Sequence, residues 1–516
     1  MIYHPATRSE QPTIFLVKAF WPLIAIIALV KVWLAYFIPL TGDEAYFDLW
    51  ARYPALGYYD HPPMVGWWLI TIQGMPPVLL RLPALFVSFI PGIVILWLFA
   101  RSHPVSSRLA SLIALTMPLF MFGIGISTDT PIVLFGVLAL ALCQKAFETR
   151  RDLFWLLGGM ALGLAFLSKY FAVLLGIGIV VHILLRYRPL WTQAMRAIVL
   201  LFFGVTPAII LNLWWNYCNC WYNIQFNLIS RNTGAGFNLE GTAVYLVMLI
   251  YTLTPWVVWA LWRNSVVLRH TSQIRRVELW LIAGVVGLII LGLLSMFRNI
   301  GLHWLAVFLP GLVLVLPLLP IVTLQRLAWA SLSFAGLHTI ALVSLLSMSH
   351  DQLAGLVGRS NTLSTVEFYR FPERIAERVA ERSEGRPVFT VSYSRSAVLT
   401  YYMDETVGVF GTGSRYGRQF DVLSDFAALD GADLVILLFD LHLEPEFAMQ
   451  FESYQLQEIG RGSSGPWLFE GQAFDFSHYQ ATTLNKILEQ YYQLPNWLPT
   501  PRCDFITRYE LTPNGV

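Results

Sequence analysis

Isolated carboxylates stand at the ends of apolar segments, where a charge is costly. Asp43 and Glu44 directly follow an apolar stretch, and Asp129 begins another. Charged side chains at a membrane boundary are expensive and are usually kept for a function. A carboxylate in such a place can serve as a general base, because burial raises its pKa and a neighbouring cation lowers it. The pattern therefore predicts an acid–base centre built from Asp43, Glu44 and Asp129.

Cationic and histidine side chains in the same connections predict that this centre binds an anion. They are single residues set among aromatic residues and glycines: His61, Lys169, Arg231, Arg298 and His303. Positive groups stabilise a phosphate leaving group as charge develops on it. A carboxylate beside them would deprotonate or orient an acceptor. Together these groups predict sugar transfer from an amphiphile whose head carries phosphate.

The first connection supplies further candidates. Tyr59, Asp60 and His61 precede Pro62 and Pro63, and the two prolines hold this part of the chain in a fixed turn. All three residues before the prolines are predicted to bind substrate.

Three of the candidates also have plain structural explanations, which the sequence leaves open. Asp43 could cap a helix, and Asp129 could do the same at the helix start Ser127–Pro131. Lys169 could be a lysine that extends to the membrane surface. An anion ligand fits Lys169 better, because it lies on the side of the membrane where lysine is not favoured.

The elements that must position these residues are long apolar segments. Of 516 residues, 56% are hydrophobic and 13% are charged, and the mean hydropathy is +0.59. A membrane-spanning helix needs about 20 apolar residues. Spans are predicted at 14–40, 78–100, 109–126, 130–147, 153–168, 170–186, 195–215, 242–262, 279–296, 302–322 and 327–347. The first is too long for a cleaved signal peptide and is read as a retained span. The stretch 45–53 predicts an amphipathic helix along the membrane surface.

The distribution of basic residues predicts the orientation. With a cytoplasmic N-terminus, thirteen cations fall in inside connections: Arg101, Arg108, Lys145, Arg150, Arg151, Arg186, Arg188, Arg196, Arg263, Arg269, Arg275, Arg276 and Arg326. Five fall outside: Arg52, Arg81, Lys169, Arg231 and Arg298. This bias follows the positive-inside rule. Eleven spans then leave everything after about residue 348 on the outer side, together with the candidate site residues.

After residue 348 the composition becomes that of a soluble α/β domain. Phe371–Arg382 predicts a charged amphipathic helix, and 387–393, 406–410 and 432–439 predict buried strands. The segment 411–417 contains three glycines but no nucleotide fingerprint, so it is predicted to be a loop. The predicted domains are therefore a membrane domain, 1–348, and a periplasmic domain, 349–516.

Cysteine and charge patterns exclude other classes of protein. The four cysteines form neither a metal pattern nor a disulfide framework, although Cys503 could pair with Cys218 or Cys220. No basic stripe is interleaved with aromatic residues, so a nucleic-acid partner is not expected. No metal and no cofactor are predicted.

The chain resembles the polyprenyl-phosphate-sugar-dependent glycosyltransferases of the GT-C superfamily, in the bacterial branch similar to protein mannosyltransferases and lipid A aminoarabinose transferases. The resemblance covers most of 14–350. It rests on Gly-Asp-Glu-Ala-Tyr at 42–46, Gly-Tyr-Tyr-Asp-His-Pro-Pro-Met at 57–64, Ser-Thr-Asp-Thr-Pro at 127–131, Gly-Leu-Ala-Phe-Leu-Ser-Lys-Tyr at 163–170 and His-Trp at 303–304.

The resemblance implies a polytopic GT-C fold of about eleven transmembrane helices in a bacterial inner membrane. It implies an inverting transferase with a periplasmic site. The donor would be an undecaprenyl-type phosphate sugar, and the acceptor a glycan, lipid A, lipopolysaccharide or protein. Asp43 would be the catalytic base or orient the acceptor, and Asp129 is the second acidic residue carried over. In the aminoarabinose-type enzymes the resemblance implies a lysine that binds donor phosphate directly before the two prolines, and this chain has His61 at that position.

Two other functions are consistent with a polytopic chain. A transporter or flippase for a lipid-linked saccharide would favour inverted repeats and charges near the bilayer midplane. The sequence has no evident repeat, and apart from Lys31 its embedded charges lie at one membrane face. A receptor or scaffold would leave those charges without a role.

Overall fold

A computed structural model describes residues 11–188, 190–232, 236–357, 361–459, 466–495, 497–499 and 501–511. The chain forms two compact units, each built from separate stretches of sequence. The first unit is Met1–Phe37, Arg81–Ile210 and Gly234–Leu346. The second is Ile38–Leu80, Leu211–Thr233 and Ser347–Val516. The first long connection, 38–80, and the segment 211–233 thus belong with the C-terminal segment.

The first unit is helical. Its α-helices are Gln11–Lys18, Phe20–Phe37, Leu82–Val87, Ile90–Phe99, Pro104–Leu115, Pro118–Phe122, Asp129–Thr149, Asp152–Phe166, Ala172–Arg186, most of Trp191–Cys218, Leu239–Leu253, Pro255–Arg263, Ser265–His270, Glu278–Leu294, Leu309–Val313 and Ile321–Ser347. Short 3-10 turns occupy Ser272–Arg276, Leu302–Leu305 and Leu316–Leu318.

Every predicted span contains helix, but the lengths differ. Five described helices are long and apolar enough to cross a membrane, or six if the bent pair Leu239–Leu253 and Pro255–Arg263 is one span. That pair bends by 86° where Thr254 has φ 68° and precedes proline. The predicted span 302–322 is not one continuous helix, because prolines interrupt it.

Helices of the first unit pack closely where glycines meet backbone. Asp152–Phe166 packs beside Asp129–Thr149. On its other side Gly159 faces the backbone of Leu201, and Gly204 faces that of Leu156. A Cβ at either glycine would collide with the backbone of the neighbouring helix, so small residues allow this contact.

The second unit combines helices with one five-stranded sheet. Its α-helices include Gly42–Arg52, Met64–Leu69, Pro77–Leu80, Tyr222–Ile224, His350–Val357, Asn361–Arg370, Pro372–Ser383, Tyr393–Met403, Gln419–Leu423, Glu444–Ala448, Phe476–Tyr479, Asn485–Tyr491 and Asp504–Arg508. Its strands are β1 (Val388–Thr390), β2 (Gly408–Val409), β3 (Leu434–Leu438), β4 (Phe451–Glu458) and β5 (Trp467–Phe474). The order is β2-β1-β3-β5-β4, with β1 parallel to β2 and β3 and with β5 antiparallel to β3 and β4.

The sheet confirms three predicted strands and adds a hairpin. The segments 387–393, 406–410 and 432–439 contain β1, β2 and β3. Strands β4 and β5 were not predicted, because most of β4 is exposed and carries no run of apolar residues. The predicted helix Phe371–Arg382 is found as Pro372–Ser383.

The helix predicted around 45–53 forms, but its surroundings differ from the prediction. It runs from Gly42 to Arg52 and packs on Met64–Leu69 and Tyr393–Met403. Glu44 to Ala51 are buried without interruption. A helix lying on a membrane surface would expose one face, whereas this one is enclosed by the second unit.

A disulfide joins Cys220 to Cys503 within the second unit, with their Cα atoms 4.5 Å apart. Cys218, the other partner that the sequence allowed, is a free thiol.

Replacing Cys503 by Ser is expected to cost about 2–4 kcal/mol of unfolding free energy, because the bond closes a long loop. Thermal unfolding in detergent would measure the loss. The control is Cys218→Ser, which should unfold like wild type, and equal stability of both variants would contradict the pairing.

Candidate functional site

The start of helix Gly42–Arg52 fixes the acidic pair. Thr41 is the N-cap and its hydroxyl accepts from the Glu44 amide at 3.3 Å. Oε2 of Glu44 in turn accepts from the Thr41 amide and hydroxyl, both at 3.1 Å. This reciprocal capping box satisfies amides that the helix leaves unpaired. The capping role considered for Asp43 therefore belongs to Glu44, which is buried.

Asp43 is exposed and has a different partner. Its Oδ1 accepts a hydrogen bond of 2.8 Å from the Tyr393 hydroxyl. Burial and the Asp43 carboxylate both raise the pKa of Tyr393, so the phenol stays protonated and remains a donor. This partner could not be predicted from local sequence patterns, because 350 residues separate the two side chains. The arrangement leaves an accessible carboxylate on a rigid helix start.

Asp60 is buried beside this helix. Its Oδ2 accepts from the Tyr46 hydroxyl at 2.8 Å, and its Oδ1 accepts from the Gly417 amide at 3.2 Å. Gly417 has φ +73°, and a Cβ there would collide with Tyr393. The loop 411–417 therefore presents a backbone donor to Asp60.

Burial raises the pKa of Asp60 to about 7, against the hydrogen bonds from Tyr46 and Gly417, which lower it. The Asp43 carboxylate also raises this pKa and Arg231 lowers it, so these three charged groups are neighbours in the second unit. Such a perturbed carboxyl group marks a candidate functional region.

The raised pKa of Asp60 predicts a pH-dependent stability. A buried acid with a raised folded pKa contributes its full stability below its ordinary pKa and loses that contribution as the pH rises through about 7. We therefore expect wild type to lose up to about 4 kcal/mol more than Asp60→Asn between pH 4 and pH 8. Thermal unfolding across this range measures the difference, and parallel pH curves for the two proteins would contradict it.

Tyr59 occupies a core position of the second unit. It is fully buried, its hydroxyl donates to the Tyr491 carbonyl at 3.3 Å, and its ring packs near Tyr222, Phe226 and Tyr492. A side chain without exposed surface does not reach a ligand in this conformation. The contacts that the structure shows for Tyr59 are packing contacts, and substrate contact by this residue stays a prediction.

His61 and Arg231 both lie against Phe226. The rings of His61 and Phe226 are 6.4 Å apart, and Cζ of Arg231 is 5.7 Å from the Phe226 ring centre. Arg231 lies in the short 3-10 turn Ser230–Asn232, and the Ser230 carbonyl accepts from Arg415 at 3.0 Å. Both predicted cationic candidates are half-buried in the second unit.

The first unit holds a separate charged cluster at the start of helix Asp129–Thr149. Oδ2 of Asp129 accepts from Nζ of Lys169 at 2.7 Å, and both side chains are almost fully buried. Nε2 of His303 lies 3.7 Å from the same oxygen. The amide of Asp129 donates to the Ser127 hydroxyl at 3.2 Å, so Ser127 supports the helix start. The carboxylate of Asp129 thus pairs with a cation, and the Lys169 side chain is buried in this ion pair.

Trp304 brings a further cation to this cluster. Its ring centre lies 5.6 Å from Nζ of Lys169 and 5.2 Å from Cζ of Arg298. Aromatic faces attract cations at such distances. The side chain of His303 is 56% exposed, so the cluster is accessible at that residue. The predicted residues Asp129, Lys169, Arg298 and His303 are therefore brought together, and Trp304 is an added member.

Among the residues that the structure describes, no three His, Cys, Asp or Glu side chains form a group that could hold a metal ion.

Comparison with known proteins gives consistent results. A family model described as dolichyl-phosphate-mannose-protein mannosyltransferase matches residues 60–215. The lipid A galacturonosyltransferase RgtD of Rhizobium johnstonii is 26% identical over 180 residues, which are 34% of this chain and 38% of that protein. The match thus spans well under half the length of this curated relative.

Two crystal structures of ArnT from Cupriavidus metallidurans share the fold. The form bound to undecaprenyl phosphate has a TM-score of 0.59 at 15% identity, covering 88% of this chain and 98% of ArnT. The apo form has a TM-score of 0.60 at 14% identity, covering 87% and 97%. The fold is that of a polytopic helical GT-C membrane protein with a C-terminal domain. With the family match and the curated relative, the shared fold makes this chain similar to the GT-C polyprenyl-phosphate-sugar glycosyltransferases.

Proposed function

We propose that this protein transfers a sugar, with inversion, from an undecaprenyl-type phosphate donor to an acceptor outside the cytoplasm. The observation that carries the proposal is the exposed Asp43 carboxylate, held on a capped helix start in a chain with the ArnT fold. A base needs both access to substrate and a fixed position. Asp43 has both.

The similar proteins support a lipid-linked donor and a lipid acceptor. The solved ArnT has undecaprenyl phosphate bound, and RgtD is named for transfer of galacturonic acid to lipid A. Among the four acceptor classes that the sequence allows, we therefore favour lipid A or lipopolysaccharide over a glycan or protein.

In the proposed reaction Asp43 accepts the proton of an acceptor hydroxyl. The acceptor oxygen forms a bond to the anomeric carbon of the sugar from the face opposite the phosphate. The bond from that carbon to the phosphate oxygen breaks, and the polyprenyl phosphate leaves with the electron pair. A single displacement of this kind inverts the anomeric centre.

The cationic residues have a second role in the proposal. Positive groups stabilise the charge that grows on the departing phosphate. We assign this role to His61 and Arg231, which lie in the second unit together with Asp43. Lys169, Arg298 and His303 form a separate cationic cluster in the first unit, for which we propose anion binding. Asp129 positions Lys169 through their ion pair. Glu44 positions Asp43 through the capping box and does not itself transfer the proton.

The proposed location is a bacterial inner membrane, with a cytoplasmic N-terminus and the second unit in the periplasm. Excess basic residues in the predicted inside connections support this orientation. The Cys220–Cys503 disulfide supports it independently, because disulfides persist in oxidising compartments.

Transfer of a radiolabelled sugar from a polyprenyl phosphate donor tests the function directly. Purified protein in liposomes would be supplied with donor and with lipid A, and labelled lipid A would be measured. Label that crosses the bilayer while still attached to the donor, without any transfer, would instead identify a flippase. Mass spectrometry of lipids that co-purify with the protein would name the donor sugar.

A further inference from the structure

The second unit contains a cavity of about 320 Å³ beside helices Asn361–Arg370 and Pro372–Ser383. Three arginines line it, at positions 370, 374 and 378, against one acidic residue, Glu367. Arg374 and Arg378 are four residues apart and therefore share one helix face. The lining carries more positive than negative charge.

Contacts hold these guanidinium groups in place. Cζ of Arg370 lies 5.0 Å from the Phe371 ring centre, and Cζ of Arg374 lies 4.7 Å from the same centre. Nη1 of Arg378 donates to the Ile459 carbonyl at 2.7 Å. Within the described ranges of the chain, neither Arg374 nor Arg378 takes part in an ion pair. Their charge is therefore available to a ligand.

The rest of the lining is largely apolar, and one of its residues directly follows a long apolar helix. Met348, Phe371, Ile375 and Pro466 contribute to the wall. Met348 directly follows Ser347, the last residue of a helix that is long and apolar enough to cross a membrane. Chain connectivity thus keeps this part of the cavity close to the end of a predicted span.

We propose that this cavity binds the phosphate headgroup of an anionic membrane lipid. Arginine pairs with phosphate through charge-assisted hydrogen bonds, often two at a time. The apolar wall would contact the glycerol and upper acyl region of the lipid. A free phosphate ion would leave that wall and most of the volume unused, which is why a lipid is the favoured source. Lipid binding in this cavity does not require the proposed sugar transfer.

Native mass spectrometry of the full-length protein in detergent tests the site. The protein would be titrated with phosphatidylglycerol and, separately, with phosphatidylcholine. We expect phosphatidylglycerol affinity to fall about fivefold in Arg374→Gln and further in Arg374→Gln/Arg378→Gln, as for loss of one and two basic residues near a lipid surface. Binding of phosphatidylcholine should not change. Arg382→Gln is the control, because it removes an exposed arginine of the same helix that does not line the cavity.

Several outcomes would overturn the proposal. Wild-type phosphatidylglycerol affinity in Arg374→Gln, or an equal loss in Arg382→Gln, would exclude a specific role for the cavity. Inorganic phosphate that displaces the lipid at equal concentration would show a site for soluble phosphate instead. Arg374→Lys is the control for a folding defect. It keeps the positive charge and should bind phosphatidylglycerol more tightly than Arg374→Gln does. Sugar transfer is not measured in this experiment, so its result is independent of the proposed enzymatic function.

Discussion

Asp43→Asn is expected to lower the rate of sugar transfer by about 10²–10⁴-fold, the range for loss of a general base. Asparagine keeps the size of the side chain and an oxygen that can accept from Tyr393, but it cannot take the acceptor proton. The fall should appear in the turnover rate, while donor binding stays near that of wild type. Initial rates of label transfer in liposomes, with donor affinity determined separately, measure both quantities.

Two further variants test whether the loss of activity is specific to Asp43. Asp404→Asn makes the same chemical change at a carboxylate that is 90% exposed and pairs with Arg52, so it should remain active. Tyr393→Phe removes the hydroxyl that donates to Asp43, and it should slow transfer less than Asp43→Asn does. Equal activity of Asp43→Asn and wild type would remove Asp43 as the base.

Breaking the Asp129–Lys169 pair should have the largest effect on stability. The two side chains are only 8% and 5% exposed, so removal of one leaves a buried charge without its main partner. Asp129→Asn and Lys169→Met are each expected to cost about 3–5 kcal/mol of unfolding free energy. The double variant should lose less than the sum of the two, because it leaves neither charge behind. Unfolding in detergent measures all four proteins.

The same set of variants separates a structural lysine from a phosphate ligand. We expect the double variant to regain stability but not donor affinity, because Lys169 would still be absent from the phosphate site. Donor affinity at the wild-type level in the double variant would mean that Lys169 only balances Asp129. Lys145→Met is the control, since Lys145 pairs with Glu148 at an exposed position 3.9 Å away and should leave both measurements unchanged.

Structural elements that depend on residues close in sequence were predicted well. Apolar length gave the helical segments of the first unit. Buried apolar runs gave β1, β3 and, at shorter length, β2. The same reasoning failed at 302–322, where prolines break the helix, and at β4, where an exposed strand has no apolar pattern. In each case a local property of the chain explains the outcome.

The candidate site was predicted as a set of residue types, and the structure assigned their partners. Sequence spacing could place Asp43 and Glu44 at a helix start but could not say which one caps it. The capping box with Thr41 assigns that contact to Glu44 and leaves Asp43 to Tyr393. For Tyr59 the sequence suggested a ligand contact and could not show that its side chain lies in the aromatic core.

By itself the sequence determined the polytopic helical class, the segments proposed to carry the chemistry and the residue types available there. These follow from hydrophobicity, proline positions and charge, which act over one helix turn or one span. Only the tertiary structure decided that 38–80 and 211–233 join the C-terminal segment, that Cys503 bonds to Cys220, and that Asp129 meets Lys169. Those contacts join residues tens to hundreds of positions apart, and no local pattern encodes which distant segment will pack against another.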